Sequence, residues 1–271
     1  MLPANELISA MAVLAVSGAL AGFLAGLLGI GGGIVMVPAL YFTFGFLEQA
    51  EGHRMHFAVA TALAIIVVTS IASSRAHYRR GAFNVSVFKT WAPWIAIGSI
   101  IGVALATSLS SRELTIFFAA MAFVMGLKLV LPLDDKTLGT EIPGGPAGKL
   151  IPTLIGGFSA MMGIGGATFS VPAMTLYSEP IHRAVGTAAL IGLVIALPAS
   201  GGYIFAAGEI ADAPPGSIGY VNLIAFAVVA PVSFLVAPLG AAAAHRLERR
   251  SLSVVFGIFL VLTATRLFFE I

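Results

Sequence analysis

An all-α polytopic membrane fold built from two inverted-topology repeats, about five plus five helical segments, is predicted by three observations on this chain. Of its 271 residues, 59% are hydrophobic and only 10% charged, and the mean hydropathy is +1.02, well outside the composition of soluble domains. A glycine and proline motif occurs twice. The charge of equivalent connectors reverses between its two copies.

Apolar runs of about 17 to 25 residues have the length of a helical span, and they cover residues 7–28, 56–76, 85–107, 113–131, 183–207, 217–244 and 251–269. The N-terminal stretch MLPANELISAMAVLAVSGALAG has the length and small residues of a secretory leader, but its one charge is Glu6 and a basic n-region is missing, so a first membrane helix is expected. Regions 33–47 and 149–178 are apolar but interrupted by glycine and proline.

Those interruptions expose the repeat. GIGGGIVMVPAL (Gly29–Leu40) aligns with GIGGATFSVPAM (Gly163–Met174) at an offset of 134. HFAVATAL (His56–Leu63) aligns with HRAVGTAA (His182–Ala189) at 126, and a weaker match joins Gly102–Phe118 to Gly240–Phe256 at 138. The expected organisation is a first membrane repeat over 1–131, a connector over 132–148 and a second repeat over 149–271.

Orientation follows from charge, because loops rich in Lys and Arg stay cytoplasmic. RAHYRRG (Arg75–Gly81) is basic, while its counterpart Gly202–Glu209 has no Lys or Arg. At the next connector the bias turns over: HRLERR (His245–Arg250) is strongly basic, and Thr107–Arg112 carries one Arg. Equivalent loops on opposite sides are the signature of inverted repeats, whose binding site lies near the bilayer midplane. Counting each glycine hairpin as two segments gives five plus five, with both termini outside. As re-entrant hairpins they would leave six full spans, with the same loop sides.

In hydrocarbon a non-helical break is tolerated only where protein or a water-filled cavity surrounds it. Glycine allows positive φ and close backbone approach to a ligand, and the N–H groups freed at the next half-helix form a positive-dipole anion site. Gly29, Gly31, Gly32 and Gly33, with Gly163, Gly165 and Gly166, are therefore candidate substrate-binding residues. Pro38 and Pro172 either line the path or kink the half-helices. Gly18, Gly22 and Gly26, spaced by four, are expected to serve close helix packing.

The doubled GxGG(G/A)…VP motif, followed each time by an A-V-x-T segment, resembles the TauE/SafE family of sulfite and organosulfonate exporters over nearly the whole chain. The resemblance implies a secondary permease for a small anion: sulfite, a sulfonate or a sulfur-containing carboxylate. Ala167 stands where the first repeat has Gly33, so the two loops need not be equivalent.

Side chains that could join the backbone come in repeat-equivalent pairs. Thr61 and Thr187 can donate to a ligand or bond their own helix. Ser74 and Ser200 can bind or glue helices together. His56 and His182 can carry a proton or compensate an anion. Arg75, Arg79 and Arg80 fit a cytoplasmic charge anchor.

Several functions are excluded or disfavoured. Zero cysteines remove thiolate and sulfur-ligated zinc chemistry, and the five histidines have no metal-ligand spacing, so no metal or cofactor is expected. No Walker motif is present, and no Asp or Glu lies deep in a span, where relays and catalytic carboxylates would sit. The chain is not expected to be an enzyme. The formal charge of +2 is spread over short connectors, which argues against nucleic acid. Expected partners are a small anionic substrate and the lipid of a bacterial inner membrane, and a homodimer is compatible with the sequence. An anion channel and a non-transporting assembly protein are the alternatives.

Overall fold

Ten α-helices and a short β-hairpin form the described residues of the computed structural model, which are 4–28, 32–79, 81–131, 138–139, 142–208, 210, 212–244 and 249–271. The first half holds α1 (Ala4–Leu28), α2 (Gly33–Phe46), α3 (Arg54–Arg79), α4 (Val85–Ser108) and α5 (Ser111–Val130). The second holds α6 (Gly145–Met162), α7 (Ala167–Thr175), α8 (Ile181–Ala206), α9 (Leu223–Ala244) and α10 (Arg249–Phe269). Between α8 and α9, β1 (Ser217–Ile218) and β2 (Val221–Asn222) pair antiparallel. The apolar run 217–244 thus begins with a hairpin. α3 with the turn before it, α4, α5, α8, and α9 up to Gly240 are long and apolar enough to cross a bilayer.

Local chemistry sets the helix boundaries. Ser110 and Glu113 form a reciprocal capping box at the start of α5. Asn84 Oδ1 accepts from Val87 N at the start of α4, and Asn222 Oδ1 accepts from Ala225 N at the start of α9. Gly163, at φ +66°, ends α6 in the left-handed conformation that glycine adopts without a Cβ penalty.

α2 and α7 have 14 and 9 residues, about 21 and 14 Å of rise, short of a hydrocarbon core about 30 Å thick. Ser17 Oγ lies 2.9 Å from Thr43 Oγ1. Those residues are equally distant from residue 30, so α1 and α2 fold back on each other.

The halves are interlocked. α3 packs on its counterpart α8 and α5 on its counterpart α10, while α1 packs on α9 and α4 on α6. Each seam of the second kind is closed by small residues. A methyl group on Gly240 would strike the Phe23 carbonyl oxygen, and one on Gly102 would strike that of Gly157. Phe23 and Gly157 differ by 134, and Gly102 and Gly240 by 138, so the two contacts are repeat-equivalent. The same holds for Gly22 against Ser233 and Gly156 against Ile95. Gly18 and Gly22 therefore serve packing, as their spacing suggests.

Equivalent helices run antiparallel. Arg250, at the start of α10, donates to the Leu129 and Val130 carbonyls at the end of α5, at 3.3 and 2.6 Å. Gly186, near the start of α8, backs onto Ala82 just beyond α3. At the other end, Tyr220 stacks on His56 of α3 and meets Tyr203 of α8 edge-on.

Candidate functional site

The two glycine breaks, far apart in sequence, touch. A methyl group on Gly33 would lie 2.7 Å from Ile164 Cα and 2.8 Å from the Gly163 oxygen. One on Gly163 would lie 2.7 Å from Val37 Cγ2 and 2.9 Å from Val59 Cα. Glycine is needed at both positions because backbone from the other half fills the space a side chain would take. Gly33 also packs on Ile66 and Gly166 on Gly192, near the midpoints of α3 and α8. Gly32 (φ +75°) starts α2, and residues 32–38 and 159–166 are buried. Gly29 and Gly31 lie outside the described residues. Pro38 is buried inside α2, and Pro172 is half-buried inside α7.

The environments of the breaks differ. Among the described residues, the buried hydroxyls with no hydrogen-bond partner are those of Ser159, Thr168, Ser170 and Ser200, all in the second half. Ser159, Thr168 and Ser170 flank the second break. At an offset of 134 their first-half counterparts are Ala25, Ile34 and Met36, which have no hydroxyl. A buried polar group without a partner is uncommon and calls for a reason. The opposing residues on α3 and α8 differ too: Ile66 is matched, at 126, by Gly192.

Thr61 and Thr187 are used in holding the halves together. Thr61 Oγ1 accepts from Asn222 N at 3.0 Å, and Thr187 Oγ1 accepts from Asn84 N at 2.9 Å while donating to the Arg183 oxygen at 2.7 Å. Asn84 and Asn222 are themselves 138 apart. Each threonine thus clasps the helix-capping residue of the opposite half. Ser74 donates to the Ile71 oxygen at 3.1 Å, and Ser200 is buried without a partner. Both lie eight residues from the midpoint glycine or isoleucine of their helix, about 12 Å along the axis.

The two histidines occupy unlike environments. His56 is buried: Nε2 donates to the Ala106 oxygen at 3.0 Å, and the ring stacks on Tyr220 with centroids 5.0 Å apart. Burial raises the Tyr220 phenol above the ordinary tyrosine range. His182 is exposed at the opposite end of the molecule. A surface cleft of about 340 Å³ lies beside the His56 end, lined by Glu48, Glu51 and Asp212 among others. Its carboxylates suit it poorly to an anion, and it is remote from the breaks. The other end carries Arg75, Arg79, Arg183 and Arg250.

Sequence reading did not single out Ser70, Thr168, Gly192, Asn84 or Asn222. The asparagines were within reach, since they align at the offset that relates the later parts of the repeats. Gly192 and Ser70 carried no motif.

The comparison with protein families settles the lineage. The model described as "Sulfite exporter TauE/SafE" matches residues 14–267. The chain belongs to the TauE/SafE family. This TauE/SafE chain is 32% identical over 254 residues to a "Probable membrane transporter protein" of Haemophilus influenzae, covering 93% of this chain and 96% of that one. It is 23% identical over 277 residues to the Bacillus subtilis "Probable membrane transporter protein YunE", covering 95% and 97%. Neither relative's name gives a substrate. No solved structure matches the chain.

Proposed function

We propose that this TauE/SafE protein is a secondary transporter that exports a small anion across a bacterial inner membrane. The anion is sulfite, a sulfonate or a sulfur-containing carboxylate, and the mechanism is alternating access at the interface of two inverted repeats. The observation that carries this reading is the meeting of the two glycine breaks at the midpoints of α3 and α8. Irregular backbone at that depth is where repeat transporters hold their substrate. The antiparallel packing of α3 on α8 and of α5 on α10 supports inversion of the halves. No Asp or Glu lies in the middle of these helices. An inside-negative potential supplies about 2.3 kcal/mol per charge per 100 mV for anion exit, enough to drive export without a coupling ion.

Two experiments test the proposal. Thermal shift of the purified protein with sulfite, methanesulfonate, acetate and chloride should show stabilisation by an oxygen-bearing anion over chloride. Gly165→Val should remove that shift while the protein still inserts. No shift with any anion, or an unchanged shift in the variant, refutes the assignment. Because the chain has no cysteine, single cysteines report topology cleanly. Those replacing Arg79 and Arg250 should label from the cytoplasm, and those replacing Ser110 and Asp212 from outside. Same-side labelling of positions 110 and 250 would sink inversion.

A further inference from the structure

We propose that the anion is held on one side of the pseudo-symmetric centre, at the second break. The subsite consists of the Ser70 and Thr168 hydroxyls and the free N–H groups at the start of α7, beside Gly192. The inference rests on the transport reading above and names the subsite and the ligand chemistry.

A helix leaves its first N–H groups without intrahelical partners, and here they follow Gly166, buried near the middle of α8. Thr168 is the second residue of α7. Helical side chains tilt toward the N-terminus, so its hydroxyl, 5% exposed and without a partner, is directed back toward the break. Across from it, a methyl group on Gly192 would lie 2.7 Å from Ser70 Oγ and 3.3 Å from Gly166 N. Gly192 therefore keeps a side chain out of the space between a hydroxyl on α3 and an amide of the break. Ser70 is itself 8% exposed.

The equivalent place in the first half is apolar. Ile66 stands at the position of Gly192, with its Cδ1 2.9 Å from where a methyl on Gly33 would be. Ile34 replaces Thr168, and Ala196 is the counterpart of Ser70. Between the repeats, two hydroxyl donors and a glycine give way to apolar side chains at the equivalent positions. Ser170, two residues after Thr168, projects about 200° around α7 and is not part of the subsite.

Every donor in this set is neutral. Such a set suits a small oxoanion with several acceptor oxygens, which can take hydroxyl and amide hydrogens together, over a monatomic halide. With no Lys or Arg to form an ion pair, the anion is also released readily, as a transporter requires.

Equilibrium binding of sulfite, methanesulfonate, acetate and chloride to the full-length protein tests the subsite. Thr168→Val, nearly isosteric, and Ser70→Ala should each weaken sulfite binding about tenfold or more, the usual effect of losing a hydrogen bond to a charged group. Gly192→Ala should do the same by displacing the Ser70 hydroxyl, which lies 2.7 Å from where the methyl would be. Ile34→Val, at the first-half position matching Thr168, should change it less than about twofold. If Gly165→Val abolishes binding while Thr168→Val and Ser70→Ala bind like the parent, the breaks remain the site and this subsite is wrong. A parent that binds none of the four anions overturns both readings. Chloride binding as tight as sulfite overturns the oxoanion class. Thr168→Val keeps the test valid even if Gly192→Ala fails to fold.

Discussion

The seams between the halves and the breaks at their centre obey different rules. Gly22 against Ser233 repeats as Gly156 against Ile95, and Phe23 against Gly240 repeats as Gly157 against Gly102, contact for contact. At the breaks the same repeats diverge: Ile34 faces Thr168 across the alignment, Met36 faces Ser170, and Ile66 faces Gly192. Helix seams are constrained by backbone approach alone, which permits the same small residues in both copies. A ligand smaller than the centre can touch only one copy at a time. Symmetry marks the scaffold, and its loss falls at the subsite proposed above.

The largest expected effect tests whether the seams are equivalent. Gly22→Val and Gly102→Val each force a branched side chain into opposing backbone, with the Cβ at position 22 already 2.5 Å from Ser233 Cα. Each should cost about 3 kcal/mol or more. Thermal unfolding in detergent should show similar losses for both. A neutral result for one alone would mean that the two seams share residues but not energetics.

A smaller effect separates the breaks. Gly33→Ala puts a methyl 2.7 Å from Ile164 Cα, whereas Gly165→Ala meets nothing nearer than Ile66 Cγ2 at 3.6 Å. The first should lose about 2 kcal/mol and the second less than about 0.5. Equal stability of the two would erase the contrast between the breaks. A third effect returns to the scaffold. Thr61→Val and Thr187→Val each strand a backbone N–H, of Asn222 or Asn84, at about 1 to 2 kcal/mol. Matching losses by chemical denaturation would extend the symmetric part of the molecule to the clasps.

Much of the fold was legible because its signals are local or periodic. Apolar runs gave α3 to α5 and α8 to α10 within a few residues, and the duplicated GIGG…VPA stretch located both breaks. The packing role of Gly18 and Gly22 followed from their spacing. The partners of Thr61 and Thr187 could not be read, because a hydroxyl on α3 meeting an amide 161 residues away depends on how the halves interlock. Ser70 and Gly192 were hidden for the same reason: each is an ordinary residue in mid-helix until the start of α7 packs beside them. The unlike burial of His56 and His182 was also invisible, since repeat alignment equates their positions but not their neighbours. Only Ala167 in place of Gly33 hinted that the breaks differ.

The interlocking has a consequence for biogenesis. The seam partner of Gly22 on α1 is Ser233 on α9, 211 positions later in the chain. At about 5 to 20 residues per second, synthesis of that stretch takes roughly 10 to 40 seconds. Through that interval the glycine face of α1 lacks its seam partner. The first five helices cannot complete their own packing, because the principal partners of α1, α3, α4 and α5 are α9, α8, α6 and α10. Assembly of this protein must therefore finish after translation rather than half by half. A chain truncated after residue 131 would insert but leave the surfaces of α1 and α4 uncovered, as a substrate for membrane quality control.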